Sequence, residues 1–127
     1  MASAKTISDE VAADDNGISA SANPANNAAL TIGGALADGG SVTFAGGRVV
    51  EITSAGNDAA IDFVIAGTDL DGASLSVTID GGNAGAVETS AFFATVASIT
   101  SVGNSAGNVI AGTSTEAAGS VFSGGGR

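Results

Sequence analysis

The chain has 127 residues, twenty of them Gly, and a formal net charge of −10 from thirteen carboxylates against Lys5, Arg48 and Arg127. With no Cys there is no disulfide framework or thiolate metal site, and with no His the commonest general base, metal ligand and pH switch are missing together. Three scattered cations in so acidic a chain argue against nucleic-acid binding, since they cannot release enough counterions from a phosphate backbone.

Gly, Ala and Ser make up nearly half the sequence, so the 44% hydrophobic content overstates the bulky apolar material. Val and Ile greatly outnumber Leu, which favours strands over helices. Five Phe, and no Trp or Tyr, are the large core anchors. A domain with so few bulky side chains is marginal alone, and oligomerisation is its natural supplement. No apolar run is long enough for a membrane helix. The start, MASAKTISDEV, has no apolar h-region and does not read as a secretory signal, so cytoplasmic synthesis is expected.

Residues 1–29 are small, polar and acidic, with Ile7, Val11 and Ile18 as the sizeable apolar residues after Met1. Ser8 could cap a helical turn through Asp9, Glu10 and Val11, ended by Asp14-Asp15-Asn16-Gly17. Pro24 marks an extended or turn segment. Fixing this stretch costs on the order of 30–60 kcal/mol of backbone entropy. Its apolar side chains return about 1.5–3 kcal/mol each on burial. The expectation is therefore an extended arm ordered only along neighbouring subunits, with Ile7, Val11, Ile18 and Pro24 as its contacts.

From Leu30 a β pattern begins and runs to residue 113. Leu30 and Ile32 suggest a short strand ended by Gly33-Gly34, and Asp38-Gly39-Gly40 is a turn. Val42 and Phe44 share a face of a second strand, ended by Gly46-Gly47, and Val50 and Ile52 share a face of a third. Ala55-Gly56-Asn57-Asp58 has hairpin-turn chemistry. Ile61, Phe63 and Ile65 define a fourth strand, Asp69-Leu70-Asp71-Gly72 a turn, and Leu75, Val77 and Ile79 a fifth strand. After the Gly-rich loop Asp80–Thr89, Phe93, Val96 and Ile99 recur every three residues. That spacing predicts a turn or short helix leading into a strand at Ala97–Val102, and a further strand covers Asn108–Gly112. Residues 114–127 read as a flexible tail in which Val121 and Phe122 could form a clip. Period-two alternation with one apolar face predicts an all-β fold: a small antiparallel β-sandwich or barrel-like domain over residues 30–113.

Ile52-Thr53-Ser54-Ala55-Gly56-Asn57 is echoed by Ile99-Thr100-Ser101-Val102-Gly103-Asn104, and Val64-Ile65-Ala66-Gly67-Thr68 by Val109-Ile110-Ala111-Gly112-Thr113. Such a repeat suggests two related hairpins facing each other across one core; chance is the rival in a chain saturated with these residue types.

Motifs for chemistry are weak. Asp69-x-Asp71-Gly72 opens like a calcium loop, yet Ala73 and Asp80 stand where an EF-hand needs a ligand and a Glu, so a structural Asp-Gly turn is the reading. Asp80-Gly81-Gly82-Asn83-Ala84-Gly85 lacks the ligand Asp of a calcium nonapeptide, which would fall at Ala86. Asp69 with Asp71, or Asp58 with Asp62, could pose as paired glycosidase acids, but nothing beyond Phe could grip a sugar ring. No Ser sits in a nucleophile elbow and no glycine cluster forms a phosphate fingerprint. No catalytic, cofactor-binding or metal-ligating residue is assigned, and the expectation is a protein that is not an enzyme. Adjacent Phe92 and Phe93 point to different sides of an extended chain, so one faces a partner or both fill the core; Phe92 and Phe122 are the contact candidates of the domain and tail.

The block from Val49 to Thr113 resembles small virion proteins of tailed bacteriophages, through Ile52–Asn57, Phe63, Gly67–Asp69, Asp71-Gly72, Asn83–Gly85, Val87, Phe93, Thr95-Val96, Ser98–Thr100 and Ala106–Val109. The likeness is a pattern of turns and core positions covering roughly half the chain. It implies a β-sandwich piece of the particle, associated with capsid decoration or cement. The partners expected from it are the major capsid protein and neighbouring copies of the chain, as a homo-oligomer on the outer capsid surface of a virion, with no membrane and no nucleic acid. A tail, fibre or head-to-tail connector component is the alternative within the particle; a cell-surface adhesin-type β domain is the alternative outside it.

Overall fold

The computed structural model describes residues 14–117, apart from the side chains of 45, 46 and 115–117. The fold is all-β, as expected. Eight strands are connected through antiparallel pairing: β1 (Asp14–Ala22), β2 (Ala37–Asp38), β3 (Ser41–Ser54), β4 (Asp62–Thr68), β5 (Ser74–Asp80), β6 (Ala86–Glu88), β7 (Phe93–Val102) and β8 (Val109–Ala117). They follow the order β1-β8-β3-β7-β4-β5, with β2 and β6 also paired to β3, in a nearly closed barrel-like or sandwich arrangement.

β3 organises the rest. Its first half pairs with β2 and β7, at Val42↔Ala37 and Val42↔Val96, and its second half pairs with β6 and β8, at Ile52↔Val87 and Ile52↔Ala111. The strand therefore passes from one half of the sandwich to the other. The ladder is irregular on both sides of Arg48, and Gly47 has φ of 80°, a left-handed conformation that glycine adopts without a Cβ penalty. The two strands expected around Gly46-Gly47 are thus one bent strand. Val42, Phe44, Val50 and Ile52 are all buried in the core.

The expected arm is corrected from residue 14 onward. Asp14–Ala22 is β1, which covers the outer edge of β8. Ile18 is fully buried and its carbonyl oxygen accepts the N–H groups of Gly33 and Gly34 at 3.0 and 2.9 Å. Asp14–Gly17 is strand rather than the end of a helical turn. The next segment is tied down as well: Asn26 N–H donates to Asn104 Oδ1 (2.8 Å), Asn27 N–H to the Ser101 carbonyl (2.7 Å) and Leu30 N–H to the Ile99 carbonyl (2.8 Å). Side-chain burial alone does not offset the backbone entropy of this stretch. Main-chain pairing, at about 0.5–1.5 kcal/mol net per bond, and the strand edge that β1 covers are the further gains. Leu30 is buried, but it and Ile32 form no strand; only an isolated bridge joins Ala29 to Thr100. Residues 1–13, with the proposed cap at Ser8, lie outside the described residues; of the expected tail 114–127, residues 114–117 are corrected to the end of β8 and the rest lies outside the described residues.

The hairpins β2–β3 and β4–β5 match their turn signals. Gly39 and Gly40 both have positive φ, the geometry of a two-residue hairpin loop between Asp38 and Ser41. In the β4–β5 turn, Asp69 Oδ1 accepts the N–H groups of Asp71 (2.9 Å) and Ala73 (3.0 Å). The segment after Ser54 is different: β3 does not pair with β4, so residues 55–61 cross between the halves instead of closing a hairpin. Nor is there a helical turn at Phe93. β7 is strand from Phe93, and Ala97 is a bulge, since Ala66 and Gly67 on β4 face Ser98 and Val96 on β7. One inserted residue turns a two-residue spacing into three, which is how Val96 and Ile99 both reach the core.

The repeat is visible in space but not as two hairpins. In each copy an Ile-Thr-Ser strand, a crossing loop and a Val-Ile-Ala-Gly-Thr strand follow one another, and the two strands of a copy do not pair. β3 pairs with β8 and β7 pairs with β4, so each copy bonds to the other.

Candidate functional site

Of the side chains nominated as contacts, Ile18, Pro24 and Phe92 fall among the described residues. Ile18 is fully buried in the core cluster with Val50, Phe63 and Val109, and Pro24 is buried, so neither is free to meet a partner. That corrects both assignments: Ile18 points inward from β1 as in any strand that covers a core, and Pro24 lies beyond β1, where its carbonyl accepts the Ser105 N–H at 3.0 Å. Phe92 is half-buried beside a fully buried Phe93. Ile7, Val11 and Phe122 lie outside the described residues.

The polar side chains form three arrangements. Asp58 is fully buried in the first crossing loop; its Oδ1 accepts the N–H of Ala106, 2.7 Å away, in the second crossing loop. Its main chain is held too, with Asp58 N–H donating to the Gly82 carbonyl (2.8 Å) and Ile61 N–H to the Asp58 carbonyl (2.9 Å). Asp58 therefore joins three loops at one end of the sandwich, a structural task. Arg48 is the one basic residue in the sequence of 14–117; it is buried and its Nη2 donates to the Ser114 carbonyl oxygen. The described surface consequently offers no cation to a polyanion.

Third, carboxylates face each other across strands. Asp62 on β4 lies opposite Asp80 on β5, and Glu51 on β3 opposite Glu88 on β6. The Asp62 carboxyl is held above its ordinary value by a side-chain hydrogen bond with Asp80, then by desolvation and by the Asp80 charge. The Glu51 carboxyl is raised by desolvation, then by the charges of Glu88 and Asp15. Among the described residues no group of three or more His, Cys, Asp or Glu side chains is placed to hold a metal ion.

What sequence reading missed is an edge. Among the described residues, β5 sits at the end of the strand order, paired on one side only, with β4. Ser74, Ser76, Thr78 and Asp80 are exposed, while Leu75, Val77 and Ile79 are partly buried against the core. Its regular apolar–polar alternation gave the strand but carried no sign of its place at a margin. Leu70, in the adjoining turn, is the most exposed large apolar residue described, at 55%.

No protein-family model matches the chain, and no significant match exists to a curated protein or to a solved structure.

Proposed function

We propose that this chain is a non-enzymatic structural protein of a tailed-phage particle, acting as a decoration or cement protein on the outside of the capsid shell. The observation that carries the reading is the resemblance stated above. Ile52, Phe63, Phe93, Val96 and Ile99 are fully buried core positions, Asp71-Gly72 closes a hairpin, and Gly67 packs against β7. A pattern made of such positions describes a scaffold rather than a reaction, and its likeness to virion proteins supports a mechanical role. The charge supports the exterior: the single basic residue within 14–117 is buried, and an acidic surface is repelled by packaged DNA.

The domain covers a joint between capsomers, in copies related by symmetry. Mixing the purified protein with preformed undecorated shells, then counting bound copies per particle, tests this. A lattice-sized copy number and a shell that resists a harsher heat or chaotrope challenge are expected. A ring-sized number on intact virions would instead favour a tail or connector role, and glycan binding without shell binding an adhesin.

A further inference from the structure

We infer that β5 is a self-association edge, pairing antiparallel with β5 of a second copy about a two-fold axis at Val77. The inference rests on strand geometry and stands apart from the phage reading. The phase of the β4–β5 ladder shows which main-chain groups are open. At its two ends Asp69 N–H donates to the Ala73 carbonyl (2.9 Å) and Gly81 N–H to the Ile61 carbonyl (2.8 Å). Bonded pairs alternate along an antiparallel ladder, so Phe63/Ile79, Ile65/Val77 and Gly67/Leu75 are the pairs that exchange bonds. The N–H and C=O groups of Ser74, Ser76, Thr78 and Asp80 point away from β4, and all four residues are exposed.

The other margins are managed as sheet edges usually are. β1 is broken by two register shifts and carries Asp14, Asp15 and Gly17; β2 has two residues and β6 three. β5 has seven residues in unbroken register, no proline, no bulge, and one charge at its end. It is also self-complementary. Centred on Val77, an antiparallel copy sets Ser74 against Asp80, Ser76 against Thr78 and Leu75 against Ile79. Those first two pairings join outward-pointing residues to outward-pointing residues, so every open donor and acceptor of the strand finds a partner. The half-buried Leu75, Val77 and Ile79 gain apolar cross-strand neighbours. Asp80 meets a hydroxyl, whereas a parallel in-register pairing would set Asp80 on Asp80 in a chain of net charge −10. The occupant that fits is therefore a second copy.

The test uses the purified full chain. Sedimentation equilibrium over a dilution series is expected to show a species of twice 11.9 kDa. Thr78→Pro removes an outward donor without touching a β4 bond, and should raise the dimer dissociation constant by about tenfold or more while leaving the circular dichroism of the monomer intact. Should that variant misfold, amide exchange on the unaltered protein decides: the Ser74, Ser76, Thr78 and Asp80 amides should gain protection with concentration. The register is tested by Val77→Cys in this cysteine-free chain, which should oxidise to a covalent dimer while Ser74→Cys does not. A monomer at every concentration overturns the inference. So does concentration-independent protection of those four amides, which would mean the chain's own ends fill the edge.

Discussion

Gly67 and Gly112 hold the same place in the two Val-Ile-Ala-Gly-Thr segments, and each is pressed against another strand's main chain. A methyl group at 67 would run into the Thr95 carbonyl, and one at 112 into the carbonyls of Asp14 and Asp15. Gly67→Ala and Gly112→Ala should each lower stability by about 1–3 kcal/mol in urea unfolding. Gly33→Ala, whose nearest contact would be Thr31 Cγ2 at 3.6 Å, should stay within about 0.5 kcal/mol of the parent. Asp58→Ala leaves the Ala106 N–H without its acceptor and should cost about 1–3 kcal/mol by the same measurement. These demands were invisible beforehand because a glycine forced by close approach is spelled like any of the other glycines here. The glycines of Asp38-Gly39-Gly40 and Asp71-Gly72 were legible, since their reason is local backbone geometry.

Among elements, the strands that alternate cleanly, β4 and β5, were readable from residue pattern, and so was the turn joining them. What defeated the pattern were departures from period two: the bend at Gly47, which fuses two apparent strands, and the bulge at Ala97, which mimics a helical spacing. β1 escaped because one buried Ile18 among Ser, Ala and Asp is too thin a signal, and because its stabilisation comes from main-chain bonds to β8. The repeat holds a further lesson. Ile65 is buried in β4, whereas its counterpart Ile110 is only half-buried and Val109 and Ala111 point inward. Identical pentapeptides thus show opposite faces to the core: Thr53 sits against Ile110, while Ile99 sits against Ile65, a one-residue difference in register.

The facing carboxylates belong to this scale as well. Folding raises the proton affinity of Asp62 and Glu51, so the folded state holds protons that the unfolded chain has released. Their contribution is fully present below the ordinary carboxylate values of 3.8 and 4.5 and is lost as pH rises through the raised folded values. The melting temperature should therefore climb as pH is lowered from 7 toward that range. Asp62→Asn should raise the melting temperature at pH 7 and flatten its pH dependence; a profile unchanged by the substitution would remove this explanation.

For the whole molecule, composition bounded the fold class, and the strand pairing bears that out. Which residues meet a partner was not legible, because the apolar residues that stood out, Ile18 above all, are those the chain needs for itself. Asp69 already satisfies the amides of its own turn through Oδ1, so calcium at millimolar concentration should leave the melting temperature unchanged; a rise of several degrees would favour a calcium-dependent adhesin.

The exchange of strands between the two sequence copies has a consequence for how the chain survives damage. A cut in the exposed turn at Asp71-Gly72 leaves β1 to β4 on one piece and β5 to β8 on the other, yet β3 still clasps β8 and β4 still clasps β7. Neither piece can complete its sheet alone, because the strand it lacks is on the other fragment. The halves should be unfolded apart and regain β structure on mixing, so that a nicked molecule keeps its shape long after its backbone has lost continuity.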